Sequence, residues 1–374
     1  MTANQCGQMP TRGGVIPAKN KRDKTIDVLK GIGIILMVVG HSRCPQPLYD
    51  FIYTFHMPLF FIASGYFFNC KSITTKQQFF IKKIKGIYKP FVICSLAFLL
   101  LHNLFFHIGI INDVYGNDTF VSHPYSIKKI IQIALNIIFR MDQYEPFLLG
   151  AYWFMRALFI SSLFLCYGTW FMNKKIKSVD KSILVLSVLC LLAGGLLKYK
   201  HIYIPYVAQG GYREMVGVFF LGAGYMLRKY ISFLQNNNIA FFISVIVLTT
   251  LYYIHPASLE LNSTFIDWTI IPFSGISGTY IVYCISKKVS EKCNILAYIG
   301  QKSIWILSLH LLAFKISGLI EIHIYNLPKE IIGCHPVVTP TNDWFFMVHA
   351  LFGITIPIMF AYIYSTINKK RAFC

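Results

Sequence analysis

The residues of this chain with chemical potential are few and sit in apolar surroundings. Residues 30–41 read KGIGIILMVVGH, with Lys30 and His41 at the two ends of an apolar run. On a helix, the eleven residue steps from one to the other turn through three full turns plus about 20°, so both side chains point the same way, about 16 Å apart along the axis. Asp27, three residues before Lys30, falls near the same stripe and can pair with it. His56 stands two residues before Pro58 in FIYTFHMPLFFIASGYFF, His310 follows an apolar run in YIGQKSIWILSLH, and Arg156 lies inside AYWFMRALF. Histidine gains and loses a proton near neutrality and so suits a general base; Lys30 and Arg156 would be fixed cations.

Each of these residues also has a plain structural reading. Burying a charge near a bilayer centre costs about 2.5–3.5 kcal/mol on insertion scales, which makes any such residue a functional candidate. Lys30 can snorkel from a helix end, and a histidine such as His41 is favoured at a helix C-terminus. Arg213 and Glu214 read as an interfacial pair. Arg156 is harder to excuse and calls for an acidic or carbonyl partner inside a bundle. Lys315 and the more weakly placed His349 complete the set. Pro58 cannot donate a backbone hydrogen bond, which frees the carbonyl of Thr54 and kinks the helix beside His56. The short connection between His41 and His56 brings these two histidines together, toward the outer half of a membrane.

The elements that must position these groups follow from composition. Of 374 residues 55% are hydrophobic and only 13% charged, against about 25% charged in soluble domains. The reading is an all-α polytopic membrane protein, a bundle of about ten transmembrane helices over 26–42, 50–69, 88–108, 149–171, 181–197, 212–227, 238–254, 266–285, 303–324 and 344–367. Lys and Arg concentrate in alternate connecting segments, which places both termini in the cytoplasm. Residues 1–25 form a basic cytoplasmic tail without the pattern of a cleavable signal peptide, 26–367 the membrane domain, and 368–374 a second tail. The long outer loops are 109–148 and 325–343. In the first, SIKKIIQIALNIIF reads as an interfacial helix or a re-entrant piece, and a true span would invert everything after it. The second, rich in proline and turn formers, reads as a lid. This topology accounts for the net charge of +20, so no nucleic-acid partner is expected. The ten cysteines show no metal-binding spacing; they read as buried thiols, with a Cys44–Cys334 pair left open, and no metal is expected.

In order, the blocks DVLKGIGIILMVVGH, FIYTFHMPLFFIASGYFF, FFIKKIKGIYKPF, YWFMRALF and YIGQKSIWILSLH resemble the membrane acyltransferase 3 family, in particular its branch similar to fucose O-acetylases and nodulation-factor O-acetyltransferases. The family hallmark of a basic residue, ten residues and a histidine is met by Lys30 and His41, with lysine in place of the commoner arginine. The third block departs from the pattern: Lys82, Lys83, Lys85 and Lys89 precede Pro90, and Gly86 stands where an arginine is often seen. The resemblance implies a multi-pass enzyme of the bacterial cytoplasmic membrane. It would move an acyl group, usually acetyl from cytoplasmic acetyl-CoA, to a hydroxyl of a surface glycan or its lipid-linked precursor. His41, His56 and His310 would then be catalytic. Lys30, Lys82, Lys83, Lys85 and Arg156 would meet the acyl-CoA. A transporter or flippase of lipid-linked sugars is the alternative, since it too would carry intramembrane charges.

Overall fold

A computed structural model describes residues 24–115, 123–143, 146–204, 208–234, 237–259, 264–338 and 344–371. Among the described residues every regular element is helical. In chain order the principal ones are α1 (Lys24–His41), α2 (Gln46–Tyr53), α3 (His56–Tyr66), α4 (Lys76–Lys83), a π-helical turn (Ile84–Tyr88), α5 (Lys89–His107) and α6 (Ile127–Arg140). After α6 come α7 (Trp153–Ile176), α8 (Val179–Tyr199), α9 (Tyr212–Leu234), α10 (Asn238–Ile254), α11 (Phe265–Val289), α12 (Asn294–Gln301), α13 (Ser303–Ile324) and α14 (Phe346–Arg371). Most of the amino-terminal tail and residues 372–374 lie outside the described residues.

Six of the described helices are long and apolar enough to cross a membrane, fewer than the ten expected. The missing ones have local causes. The 50–69 stretch is divided into α2 and α3 just before Pro58, α1 carries Lys24, Asp27 and Lys30, α9 carries Arg213, Glu214, Arg228 and Lys229, and α10 has only 17 residues. The Thr54 carbonyl freed by Pro58 does not go unsatisfied, because Ser274 of α11 donates its Oγ hydrogen to it at 3.0 Å. That bond ties the break beside His56 to the neighbouring helix.

The segment 109–148 does not stay at one end of the bundle. At the start of α6, Tyr125 stacks on His102 of α5 with ring centroids 3.6 Å apart, and Asn103 donates to the Tyr125 carbonyl at 2.9 Å. Near the other end of α6, the Tyr88 hydroxyl donates to the carbonyl of Ile138 at 2.6 Å. Thus α6 runs back along α5, antiparallel to it. Its 14 residues make about 21 Å, short of the roughly 30 Å of hydrocarbon. The chain then resumes the same direction in α7. Tyr152 packs on Phe91 at 5.4 Å, Phe159 on Tyr88 at 5.8 Å, and Trp170 lies under the Lys76 ammonium at 3.3 Å. Together α6 and α7 descend the single rod of α4, the π turn and α5. Both helices run antiparallel to that rod.

The main apolar core runs through α1, α3, α5, α7, α9 and α13. Close crossings rest on glycine: a Cβ on Gly65 or Gly224 would strike the backbone of Leu221 or Ile62, so α3 and α9 approach at van der Waals distance. Outward faces stay apolar, as with Leu189, Leu192 and Leu196 of α8 and Phe242, Ile243 and Ile246 of α10. Such a surface suits lipid and not water.

Candidate active site

The end of α1 meets the interior of α13. His41 Nδ1 and His310 Nε2 share a hydrogen bond of 2.9 Å, with the rings stacked 5.1 Å apart. From His310 the helix α13 continues to Ile324, about 21 Å further, so the pair lies within the bundle and not toward its rim. The hydrogen-bond network decides the tautomers. His310 Nδ1 faces the carbonyls of Ile306 at 2.9 Å and Leu307 at 3.1 Å, which only accept, so this nitrogen carries the proton. In the neutral ring His310 Nε2 is then an acceptor, His41 Nδ1 donates to it, and His41 Nε2 keeps its lone pair. His56 is set the same way, its Nδ1 donating to the Ile52 carbonyl at 2.9 Å. Tyr53 packs edge-on against His56 at 4.6 Å and lies 6.5 Å from the His41 ring.

Two cavities open on His41. The first, about 220 Å³, is mostly apolar and is lined by Ile34 and Met37 of α1 together with His41, Tyr53 and His56. It extends to Gly86 and Ile87 of the π turn and to Ser303 and Ile304 at the start of α13. The second, about 530 Å³, has a more polar wall and includes Gly40, His41, Arg43, Gln46, Tyr49, Tyr53, Gly150 and His335. His41, Tyr53 and Ala151 belong to both. Around this junction the helices break: α1 ends, α2 gives way to α3, and the residues between α6 and α7 pass by. Irregular backbone at such depth is tolerable where it borders a cavity.

Of the residues singled out in the sequence, the structure unites His41, His56 and His310. Lys30 forms an ion pair with Asp27 at 3.2 Å, and Gln301 of α12 donates to the same carboxylate at 3.2 Å; neither cavity is lined by Lys30. Arg156 pairs with Glu214 across α7 and α9, which supplies the acidic partner it requires. Lys82 and Lys85 are exposed and Lys83 is half-buried, immediately before the cavity-lining Gly86 and Ile87. Arg213 does not pair with Glu214. Its guanidinium lies 3.8 Å over the Trp153 ring, donates to the Leu259 carbonyl at 2.8 Å and lines the first cavity. Sequence reading missed this role because Glu214 is adjacent in the chain, whereas on a helix neighbouring residues point about 100° apart. Tyr152 and Ser308, which share a hydrogen bond of 2.6 Å next to the site, gave no signal at all.

Lys315 lies beyond His310 and holds the carbonyls of Ile332 and Cys334. Its loop is therefore a fixed wall over its described part, with residues 339–343 outside the described residues. Cys44 and Cys334 are buried free thiols. His349 belongs to a sealed chain, its Nδ1 2.7 Å from Ser317 Oγ and its Nε2 3.0 Å from Glu321.

The sequence model of a family described as "Acyltransferase domain" matches residues 23–366. The chain belongs to the acyltransferase 3 family. As an acyltransferase it is also similar to two proteins named "Nodulation protein NolL". That of Sinorhizobium fredii (strain NBRC 101917 / NGR234) is 42% identical over 66 residues, 15% of this chain and 18% of the relative. That of Mesorhizobium japonicum (strain LMG 29417 / CECT 9101 / MAFF 303099) is 26% identical over 206 residues, 51% of this chain and 48% of the relative. The match thus spans about half the length of the second relative and less of the first. No solved structure matches this acyltransferase significantly. Family membership displaces the transporter and flippase alternative.

Proposed function

We propose that this acyltransferase moves an acetyl group from acetyl-CoA to a hydroxyl of a cell-surface glycan or its lipid-linked precursor, in a bacterial cytoplasmic membrane with both termini inside. The observation that carries the reading is the place of His41, at the junction of an apolar cavity and a polar one, with its tautomer set by His310. The apolar cavity would take the acyl thioester and the end of its pantetheine arm. The polar cavity would take the acceptor.

In this reading His41 Nε2 receives the proton of the acceptor hydroxyl as its oxygen attacks the thioester carbonyl. The tetrahedral oxyanion collapses, the carbon–sulfur bond breaks, and the CoA sulfur leaves with the proton from His41. A positioned base contributes about 10²–10⁴-fold. Arg213 is the cation in the apolar cavity able to oppose developing negative charge. Lys82, Lys83 and Lys85, near the Gly86 end of that cavity, meet donor phosphates. Lys30 and Arg156, each engaged by a carboxylate, support the helix packing instead. No metal is invoked.

The test is transfer of radiolabelled acetyl from acetyl-CoA to base-deacylated polysaccharide of the producing cells by the purified, detergent-solubilised protein. Label in the polysaccharide that disappears with His41→Ala is expected. Absence of label with the wild-type protein would overturn the reading.

A further inference from the structure

The polar cavity has a wall supplied by a segment remote from α1 in sequence. Residues 328–338 are held in place at three points. The Lys315 ammonium, 4% exposed, donates to the carbonyls of Ile332 at 2.8 Å and Cys334 at 2.6 Å. Asn112 Nδ2 donates to the Glu330 carbonyl at 2.7 Å, and Gly333 lies so close to the Asn112 amide that a Cβ there would collide with it. Beneath them Ile331, Ile332, Cys334 and Val338 pack with Ile322 of α13. A cation buried among apolar groups is unfavourable unless it is fully hydrogen-bonded. Here the ammonium meets the two carbonyls that flank Gly333, one of them on the residue just before His335.

His335 is what this anchoring presents. It is exposed, it lines the same cavity as His41, and its ring reaches within 3.9 Å of where a Cβ of Gly150 would stand. Tyr49 and Tyr53, stacked with centroids 3.9 Å apart, line the same cavity. A cavity lined by both an imidazole and aromatic rings suits a polyhydroxylated ring, whose CH face packs on the aromatics while a hydroxyl bonds the imidazole.

We infer that His335 is an acceptor-binding residue, which grips a hydroxyl next to the one that is acylated, and that Lys315 is its positioning residue. This rests on the reading that the polar cavity receives the acceptor. His335 takes no proton from the reacting hydroxyl and makes no contact with the donor.

The experiment compares full-length wild type, His335→Ala, His335→Gln and Lys315→Met, with radiolabelled acetyl-CoA and base-deacylated polysaccharide of the producing cells. His335→Ala should raise the KM for polysaccharide at least tenfold and leave the KM for acetyl-CoA unchanged. His335→Gln, which can still hydrogen-bond, should recover much of the loss. Lys315→Met should reproduce the acceptor defect and speed backbone hydrogen exchange at residues 329–338, whereas His335→Ala leaves that exchange unaltered. An active wild type with an unchanged acceptor KM in His335→Ala, or with both KM values raised equally, would overturn the inference. An inactive wild type would instead strike the proposed function on which it rests.

Discussion

Two histidine clusters in this molecule look alike on paper and differ in what surrounds them. Ser317, His349 and Glu321 form a hydroxyl–imidazole–carboxylate chain with distances of 2.7 and 3.0 Å, the order found in a nucleophile, base and orienting acid. Yet all three are nearly inaccessible, sealed between α13 and α14. His41 and His310 form a less familiar pair, but His41 opens on two cavities. A hydrogen-bond chain without room for a reacting atom is a cross-link between helices. Access, and a lone pair left facing a cavity, distinguish a base from a brace.

The largest expected effect tests the open cluster. His41→Ala should lower acetyl transfer at least about 10²-fold, the contribution of a general base, while size-exclusion shows a monodisperse protein. Near-wild-type turnover would remove the distinction between the clusters.

His310→Ala should cost less, about tenfold to a hundredfold. His41 would keep its nitrogen lone pair but lose the neighbour that fixes its tautomer and orientation. A loss equal to that of His41→Ala, measured in the same assay, would mean the two rings act as one unit.

Replacing Lys82, Lys83 and Lys85 together with Gln should raise the KM for acetyl-CoA several-fold and spare the acceptor KM. Raising ionic strength should imitate the change in the wild type, because exposed charges are screened within about 10 Å at 0.1 M salt. An unchanged donor KM at low salt would reduce the cluster to a signal for membrane orientation.

Ser317→Ala completes the comparison with the smallest effect on catalysis. Turnover should stay within about twofold of wild type, while stability falls by about 1–3 kcal/mol because the His349 nitrogen loses its buried partner. The measurement is the apparent Tm in detergent set beside the transfer rate. A large fall in rate without a change in Tm would show that the sealed cluster takes part in the reaction.

Amino-acid composition and period alone determined the membrane class, the helical architecture, the one-sided placement of Lys30 and His41, and the break at Pro58 with the freed Thr54 carbonyl. Each is a property of neighbours in the chain: helix periodicity, the missing proline N–H and the cost of charge in hydrocarbon act over a few residues. An apolar window did not reveal that the 50–69 stretch is divided into α2 and α3. The partners of the charged groups needed the assembled bundle. His41 and His310 are 269 residues apart, Arg156 chose Glu214 over any neighbour in the chain, and Arg213 turned to Trp153. Lys315 serves a loop whose course no local pattern encodes. Such pairings are set by which helix faces pack together, and many packings satisfy the same apolar period. Only the tertiary structure therefore decided which histidine borders both cavities and which cations are engaged by a carboxylate.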